Sequence, residues 1–411
     1  MKLLVLTMRY PYGSQHEVFF EPELRALAQA FEDVTILPMK AAAGRRALPS
    51  NVKCWRPLAS HGRWLYVLGL LNPTAWKTLA RLLSDCFKGG RLGWPQLRSS
   101  IVAACFDLAM RRHRGLNELL KSPDLVVYSY WGAIPALCLP LAKAKGAATC
   151  SRYHGVDLYL ERQENAGYIP FRREVQAATD LNVFVSEQGK DYFAYHADAK
   201  ASGEQVVARL GSPDFGPPLA RPSTRSPDEP IVIVSVSQIV PVKRVHLIAR
   251  LAKSMAQERR VEWHHFGSGH SQLLENELAN IPSGLAVKMH GATENSDIQS
   301  FYRRTSVALF ANLSESEGLP VSVMEALNAD IPAVAANVGG TSEVVIDGRS
   351  GMLVPPDQCE ASEALAARVL NALGEGGLLL RCSPREIWNR YCDAAQNSAS
   401  FASLLRGLTA R

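Results

Sequence analysis

Short apolar runs rich in β-branched residues alternate with longer helix-like stretches along nearly all of this 411-residue chain. No other feature constrains its fold as strongly. Strands separated by crossover helices pair in parallel, and parallel sheets need helices on both faces. The candidate strands are 3–7, 34–37, 125–130, 181–186 and 206–210 in the first half. In the second half they are 231–237, 261–266, 286–290, 307–311, 333–336 and 352–354. Between the halves lies SPDFGPPLARPSTRSPDEP, with six prolines over 213–230 and no apolar periodicity, the composition of a connector. The pattern predicts an α/β architecture of two Rossmann-like, doubly wound domains, over 1–212 and 231–383, joined by a linker at 213–230. A helical tail at 384–411 can cross back to the first domain. Ligands in such folds bind beyond the carboxyl ends of the strands, and two facing domains make a natural cleft.

Composition narrows the function classes. Hydrophobic residues at 47% and charged residues at 20% describe a chain with real cores. No apolar run reaches the roughly 18 residues of a membrane span, and the candidate 64–71 is much shorter. Arg9 interrupts the apolar start and no small-residue cleavage site follows, so MKLLVLTMRYPYG reads as a first strand rather than a leader. Eight cysteines are scattered without a CxxC pair, which predicts reduced thiols in a cytoplasmic protein and no structural zinc. The net charge of +6 is concentrated. Residues 55–121 hold eleven Lys/Arg against three Asp/Glu, a net of +8, together with Trp55, Trp64, Trp76 and Trp94. Basic residues interleaved with Trp suit an anionic membrane surface, and an ordinary basic helical face fits equally well. No helix-turn-helix, zinc-finger or RNP-like motif accompanies them, so nucleic acid is not an expected partner.

The chemistry gathers at strand ends of the second half. The stretch SESEGLPVSVMEAL, 314–327, places Glu317 and Glu325 on either side of Gly318-Leu319-Pro320. Proline is favoured at the first helical position, where its missing N–H has no partner. A helix starting near Pro320 leaves Glu317 in the entry loop and Glu325 in the second turn. Its unsatisfied N–H groups and positive dipole end suit a phosphate. An ordinary amphipathic helix with one capping and one solvated glutamate fits the same residues. Earlier strand ends offer Lys243 and Arg244 within PVKRVHLIARLAK, and the turn Gly267-Ser268-Gly269. A later one offers Gly339-Gly340-Thr341-Ser342-Glu343. Together these favour a nucleotide-diphosphate ligand over separate turns.

The run SESEGLPVSVMEALNADIPAVAANVGGTSEVVIDGRSGMLVP resembles the E-x7-E signature of glycosyltransferase family 4, retaining enzymes of the GT-B fold, with Glu317 and Glu325 as its two acids. RYPYGSQHEVFFEPELRAL, YSYWGAIPALCLPLAKAK, SRYHGVDLYLER and PVKRVHLIARLAK are similar to the branch that contains colanic-acid and related exopolysaccharide transferases. The resemblance implies two Rossmann-like domains facing a central cleft. It implies transfer of a hexose from a nucleotide-diphosphate sugar, with UDP-sugar favoured, to a lipid-linked or oligosaccharide acceptor at the inner face of the cytoplasmic membrane. Lys243 would neutralise the leaving diphosphate. Glu325 would bind the ribose, Glu317 the transferred sugar, and the amides of Gly318 and Leu319 the phosphate. Gly13 lies in the stretch that resembles the family's first glycine loop, and Gly267, in the turn after 261–266, is a further donor-binding candidate. His154 matches the histidine facing sugar and acceptor, accompanied by Arg152 and Asp157, and Glu17 is a candidate for the acceptor hydroxyl.

Two departures stand out. The family loop has arginine five residues before its lysine and glycine just after it, where this chain has Gln238 and Arg244, so Arg244 becomes the candidate second phosphate cation. Asp330 replaces the glycine that ends the family's acid-bearing helix, and Asp tolerates the left-handed conformation better than most residues. No D-x-D occurs, so neither a divalent metal nor another cofactor is expected. No G-x-S-x-G or strand-following G-x-G-x-x-G supports a hydrolase or dehydrogenase. The alternatives are a GT-B transferase with a soluble acceptor, a GT-B epimerase, and a non-catalytic membrane-bound assembly partner. The intact Glu317, Glu325, Lys243 and His154 argue against the last.

Overall fold

The computed structural model describes the chain except residues 14–15, 60–75, 77–78, 81–82, 85–92, 163–164, 198–200, 202, 220–225, 227 and 409–411. Trp64, the apolar run 64–71 and much of the basic stretch 55–121 therefore lie outside the described residues, as does most of the second half of the expected linker.

Apolar runs become the central strands, buried on both faces, while the edge strands are partly exposed. The strands of the first half are β1 (Lys2–Thr7), β2 (Asp33–Pro38), β3 (Val52–Cys54), β4 (Leu125–Ser129), β5 (Ala148–Tyr153), β6 (Leu181–Phe184) and β7 (Glu204–Val207). They pair in parallel in the order β3-β2-β1-β4-β5-β6-β7. The second half forms β8 (Ile231–Val236), β9 (Val261–Phe266), β10 (Leu285–Gly291), β11 (Leu309–Asn312), β12 (Ala333–Ala336) and β13 (Gly351–Val354). Their order is β10-β9-β8-β11-β12-β13, again parallel. Each order reverses once, between β1 and β4 and between β8 and β11, and the crevice at that switch is where such sheets bind ligands. Among the described residues no helix is long and apolar enough to cross a membrane, and the described cysteines are free.

Two strands were not expected. In β5, Thr149, Ser151 and Arg152 hide the strand from a hydropathy reading, yet every residue from Thr149 to Tyr153 is buried. β3 is a three-residue edge strand. The last strand of the first half covers Glu204–Val207 instead of 206–210, because that edge is only half-buried and Ala208 to Leu210 leave the sheet.

The domain division also falls differently. One compact unit comprises Met1–Ala208 with Ala395–Arg411, the other Arg209–Ala394. Residues 213–215 are not a free connector. Asn328 Nδ2 donates to the Pro213 carbonyl (2.7 Å) and Arg303 Nη1 to that of Phe215 (3.0 Å). The helix Pro384–Tyr391, expected in the tail, belongs to the second unit. Its Trp388 is buried and donates Nε1–H to Ser212 Oγ (2.7 Å), while Arg385 Nη1 donates to the Asn328 carbonyl (2.7 Å). Within the first unit Phe401 packs under the Arg152 guanidinium at 4.2 Å and against Tyr128 at 5.1 Å, so the chain end completes the first core.

Candidate functional site

In the second unit the site is built where β8 and β11 end. After β8 a single turn of 3-10 helix, Pro241–Lys243, aims Lys243 at the loop that follows β11. The Glu315 N–H donates to the Val242 carbonyl (2.8 Å) and ties the two loops together. Lys243 Nζ then donates to both oxygens of Glu317, at 2.7 and 2.9 Å. Asn312 Nδ2, at the end of β11, adds a third donor at 3.2 Å. Glu317 is buried and Lys243 partly exposed, so the cation is the member of the pair that solvent and ligands can reach.

The loop behind this pair depends on backbone-to-backbone contact. Gly340 N–H donates to the Gly318 carbonyl (2.7 Å). Gly339 has φ +55°, and a Cβ there would lie 1.8 Å from the Glu317 carbonyl oxygen. The amides of Gly318 and Leu319 have no acceptor among the described residues. The helix that follows is Val321–Asn328, with Pro320 as its N-cap. Proline thus stands one position earlier than its usual preference suggests, with extended ψ. Glu325 remains in the second turn, on the inner face. It is buried and receives Asn295 Nδ2–H at 2.5 Å. Burial raises its carboxyl from the ordinary 4.5 to about 7, against the opposing pull of Asn295. Asp330 closes the helix at φ +58°, the left-handed geometry expected for it.

Two expected donor contacts are corrected. Arg244 adopts φ +44°, ψ +41°, and its Nε donates to the Leu313 carbonyl (2.8 Å) while Nη2 is buried. The guanidinium props up the loop after β11 and is not presented as a second phosphate cation. Gly267 donates its N–H to the Gly291 carbonyl (2.8 Å), and a Cβ would lie 1.7 Å from the Ser237 carbonyl oxygen. Its role is close strand-end packing rather than a free amide for a ligand.

The first unit gathers a second cluster at the ends of β1, β4 and β5. His154 follows β5, is 8% exposed, and neither ring nitrogen has a hydrogen-bond partner among the described residues. Its Nδ1 lies 3.6 Å from Asp157 Oδ2, and its ring stands 4.4 Å from Trp131 and 5.0 Å from Tyr130. Asp157 accepts the backbone N–H groups of His154 and Gly132, both at 2.6 Å, and so fixes the two loops to each other. Arg152 and Glu17 depart from their expected places. Arg152 points into the core, 3.0 Å from Glu23 in an ion pair exposed by no more than 4%. Glu17 accepts the N–H groups of Met8, Arg9 and Tyr10 and the Trp131 indole, at 2.6 to 3.0 Å, so it organises the first loop rather than waiting for an acceptor hydroxyl. Gly13 takes φ +80° in that loop, where a Cβ would press on His16 at 2.6 Å. Arg9, His16, Glu17, Phe19 and Trp131 line a cavity of about 310 Å³.

Sequence reasoning missed Trp131, Asn312 and Asn295. The indole stood in the quoted YSYWGA and could have been weighed as a ring for stacking a sugar. Asn312 and Asn295 come from separate elements and carry no local signal.

Two parallel α/β sheets, each with its chemistry at the carboxyl edge of the strand-order switch, are the two Rossmann-like halves of the GT-B fold. Residues 218–384 match the model of the family "Glycosyl transferases group 1". The chain is similar to the colanic acid biosynthesis glycosyltransferase WcaL of Salmonella typhimurium, 24% identical over 53% of this chain and 53% of that protein. It is also similar to the sulfoquinovosyl transferase SQD2 of Arabidopsis thaliana, 25% identical over 60% and 50%. The chain spans about half the length of these curated relatives. Among solved structures, Anabaena HepE in complex with UDP and glucose superposes with a TM-score of 0.62 at 16% identity, over 98% of this chain and 99% of that one. The α,α-trehalose 6-phosphate synthase of Burkholderia multivorans reaches 0.67 at 14% identity, over 100% and 97%. These likenesses establish the fold, and the curated relatives the resemblance to colanic-acid glycosyltransferases.

Proposed function

We propose that this chain is a retaining, metal-independent glycosyltransferase of family 4 that moves a hexose from a nucleotide-diphosphate sugar, UDP-sugar favoured, to a lipid-linked glycan in cell-surface polysaccharide assembly. The observation that carries the reading is Lys243 held by Glu317 at 2.7 Å beside two amides without acceptors and a buried Glu325. A diphosphate competes for the Lys243 ammonium and so releases Glu317 to accept hydroxyls of the transferred sugar. Glu325 takes the ribose hydroxyls. As the bond from the sugar C1 to the diphosphate oxygen breaks, charge develops on that oxygen, where Lys243, the amides of Gly318 and Leu319 and the start of the helix stabilise it. The acceptor hydroxyl forms the new bond on the face the diphosphate leaves, and its proton goes to the departing phosphate. Within the first unit, Trp131 lies 4.4 Å from the His154 ring, an aromatic wall suited to a sugar. WcaL, by its name, acts in colanic acid biosynthesis, and HepE is described with UDP and glucose, which supports both the process and the donor base.

Lys243 and the helix dipole take the place of a divalent ion in this reading. Titration calorimetry with UDP is therefore expected to give the same affinity with and without EDTA. Affinity lost in EDTA and restored by Mg²⁺ or Mn²⁺ would overturn the metal-independent mechanism. The anomeric configuration of the product, read by NMR, tests retention.

A further inference from the structure

The Gly-rich loop after β12 is gripped from far away in the chain. It forms a single 3-10 turn, Gly339–Glu343, whose start lies against Glu317 and Gly318 and whose last residue is a glutamate. Arg209 reaches that glutamate from 134 residues earlier, with Nε and Nη2 both donating to Glu343 Oε2 at 3.0 and 2.6 Å. Only 25% of the arginine side chain and 14% of the glutamate side chain are exposed. Charge-assisted bonds are stronger than neutral ones, and salt screens a shielded pair little. Arg209 lies outside residues 218–384, which match the family model, and is the first residue after the stretch Met1–Ala208 of the first unit.

The arginine is itself held fast. Its guanidinium stands over the Tyr391 ring at 5.7 Å. Two residues on, a Cβ at Gly211 would lie 2.5 Å from both the Cys392 carbonyl oxygen and the Ala394 nitrogen, so the two backbones touch. Ser212 N–H donates to the Cys392 carbonyl (2.9 Å), and Ala394 N–H donates back to the Ser212 carbonyl (3.2 Å). Segment 209–212 is therefore a fixed base, and a short bond from a fixed base restrains the group it holds. Beyond Glu343 the N–H groups of Val344 and Val345 donate to the Thr341 carbonyl at 3.1 and 2.8 Å, and both valines are buried. Resting on the transferase reading above, we propose that Arg209 is a positioning residue for donor binding. Through Glu343 it holds Gly339 and Gly340 against Glu317 and Gly318, and so sets where the sugar-binding carboxylate and the phosphate-binding amides stand. It touches no substrate itself.

Hydrogen exchange of the ligand-free protein, read by mass spectrometry, reports the loop through the Gly340 amide, and calorimetry with UDP reports the donor site. Arg209→Gln is expected to speed exchange over 338–343 by about tenfold, to leave β8 and β9 unchanged, and to weaken UDP by about tenfold. Glu343→Gln is expected to do the same. The Arg209→Gln, Glu343→Gln double variant should lose no more than either single one, because both remove one interaction. Exchanging the two charges, Arg209→Glu with Glu343→Arg, is expected to recover most of the UDP affinity. Faster exchange spread evenly over the second unit, or a lower melting temperature with UDP affinity unchanged, would make the pair a stabilising contact alone and overturn the proposal. Additive losses in the double variant would overturn it too, since Arg209 would then act elsewhere than through Glu343. Failure of the unmodified protein to bind UDP counts instead against the transferase reading, and the exchange result, obtained without ligand, stands or falls separately.

Discussion

Glu325 is the residue where burial and function pull against each other. A carboxyl raised to about 7 by burial folds more favourably with its proton than without. The raised value means that this contribution is complete below the ordinary 4.5 and is lost as pH climbs through 7. Glu325→Gln mimics the protonated form. It is expected to match the parent near pH 4 and to exceed it by on the order of 3 kcal/mol near pH 8, measured by denaturant unfolding at both values. No pH dependence of the difference would mean that solvent reaches the carboxylate. Lys243 and Glu317 call for a different experiment. Because they bind each other at 2.7 Å, Glu317→Ala frees the ammonium while removing the acceptor for sugar hydroxyls. UDP affinity is expected to be unchanged or several-fold tighter, with turnover of the sugar donor down by roughly 10²-fold. Loss of UDP affinity equal to that of Glu325→Ala would show that the sugar and ribose roles are wrongly divided.

At the scale of elements, the entry loop and the Gly-rich loop after β12 form one unit. The contact between Gly339 and the Glu317 carbonyl leaves no room for a side chain. Gly339→Ala adds a left-handed backbone cost of about 1–2 kcal/mol. The steric displacement of Glu317 comes on top of that. The expected outcome is a lower melting temperature together with weaker UDP binding, recovered in neither respect by raising ionic strength. A melting loss with intact UDP affinity would mean that the loop does not set the position of Glu317. Arg244 and Glu17 teach a related point. Both carry the charge expected of a ligand-binding group, but backbone partners take that charge, so each supports a loop instead of reaching a substrate.

Charge distribution is a property of the whole molecule. Among the described residues of the basic stretch, Trp94 is 73% and Trp76 53% exposed, so neither is a core residue. Arg111 pairs with Asp107 at 2.9 Å, leaving Arg112 and Arg114 as exposed cations without that restraint. Each basic side chain near an anionic surface contributes on the order of 1 kcal/mol. If this face docks on a membrane, the Arg112→Glu, Arg114→Glu double variant should lower partition onto anionic vesicles at low salt by at least about 30-fold in co-sedimentation. Equal sedimentation of variant and parent would place the docking surface elsewhere or nowhere.

The alternation of strands and helices, the parallel sheets and the Glu317–Glu325 spacing were legible in the chain, because burial on both faces and helical period act over a few neighbouring residues. The left-handed turn at Asp330 was legible only through the resemblance, since Asp stands where the family's helix ends on glycine. Tertiary structure decided what depends on distant partners. Arg152 stood in the run R-x-H-x-x-D as a site candidate, and it became a core residue because Glu23 and Phe401, far away in the chain, meet there. β5 stayed hidden because the partners of its polar residues lie in other elements, Asp180 and the Ala178 carbonyl for Thr149 and Glu23 for Arg152. Local sequence sets which groups a segment can offer. Which of them remain available to a ligand depends on the partners that folding brings from elsewhere, since a buried polar group binds whatever donor or acceptor lies within reach.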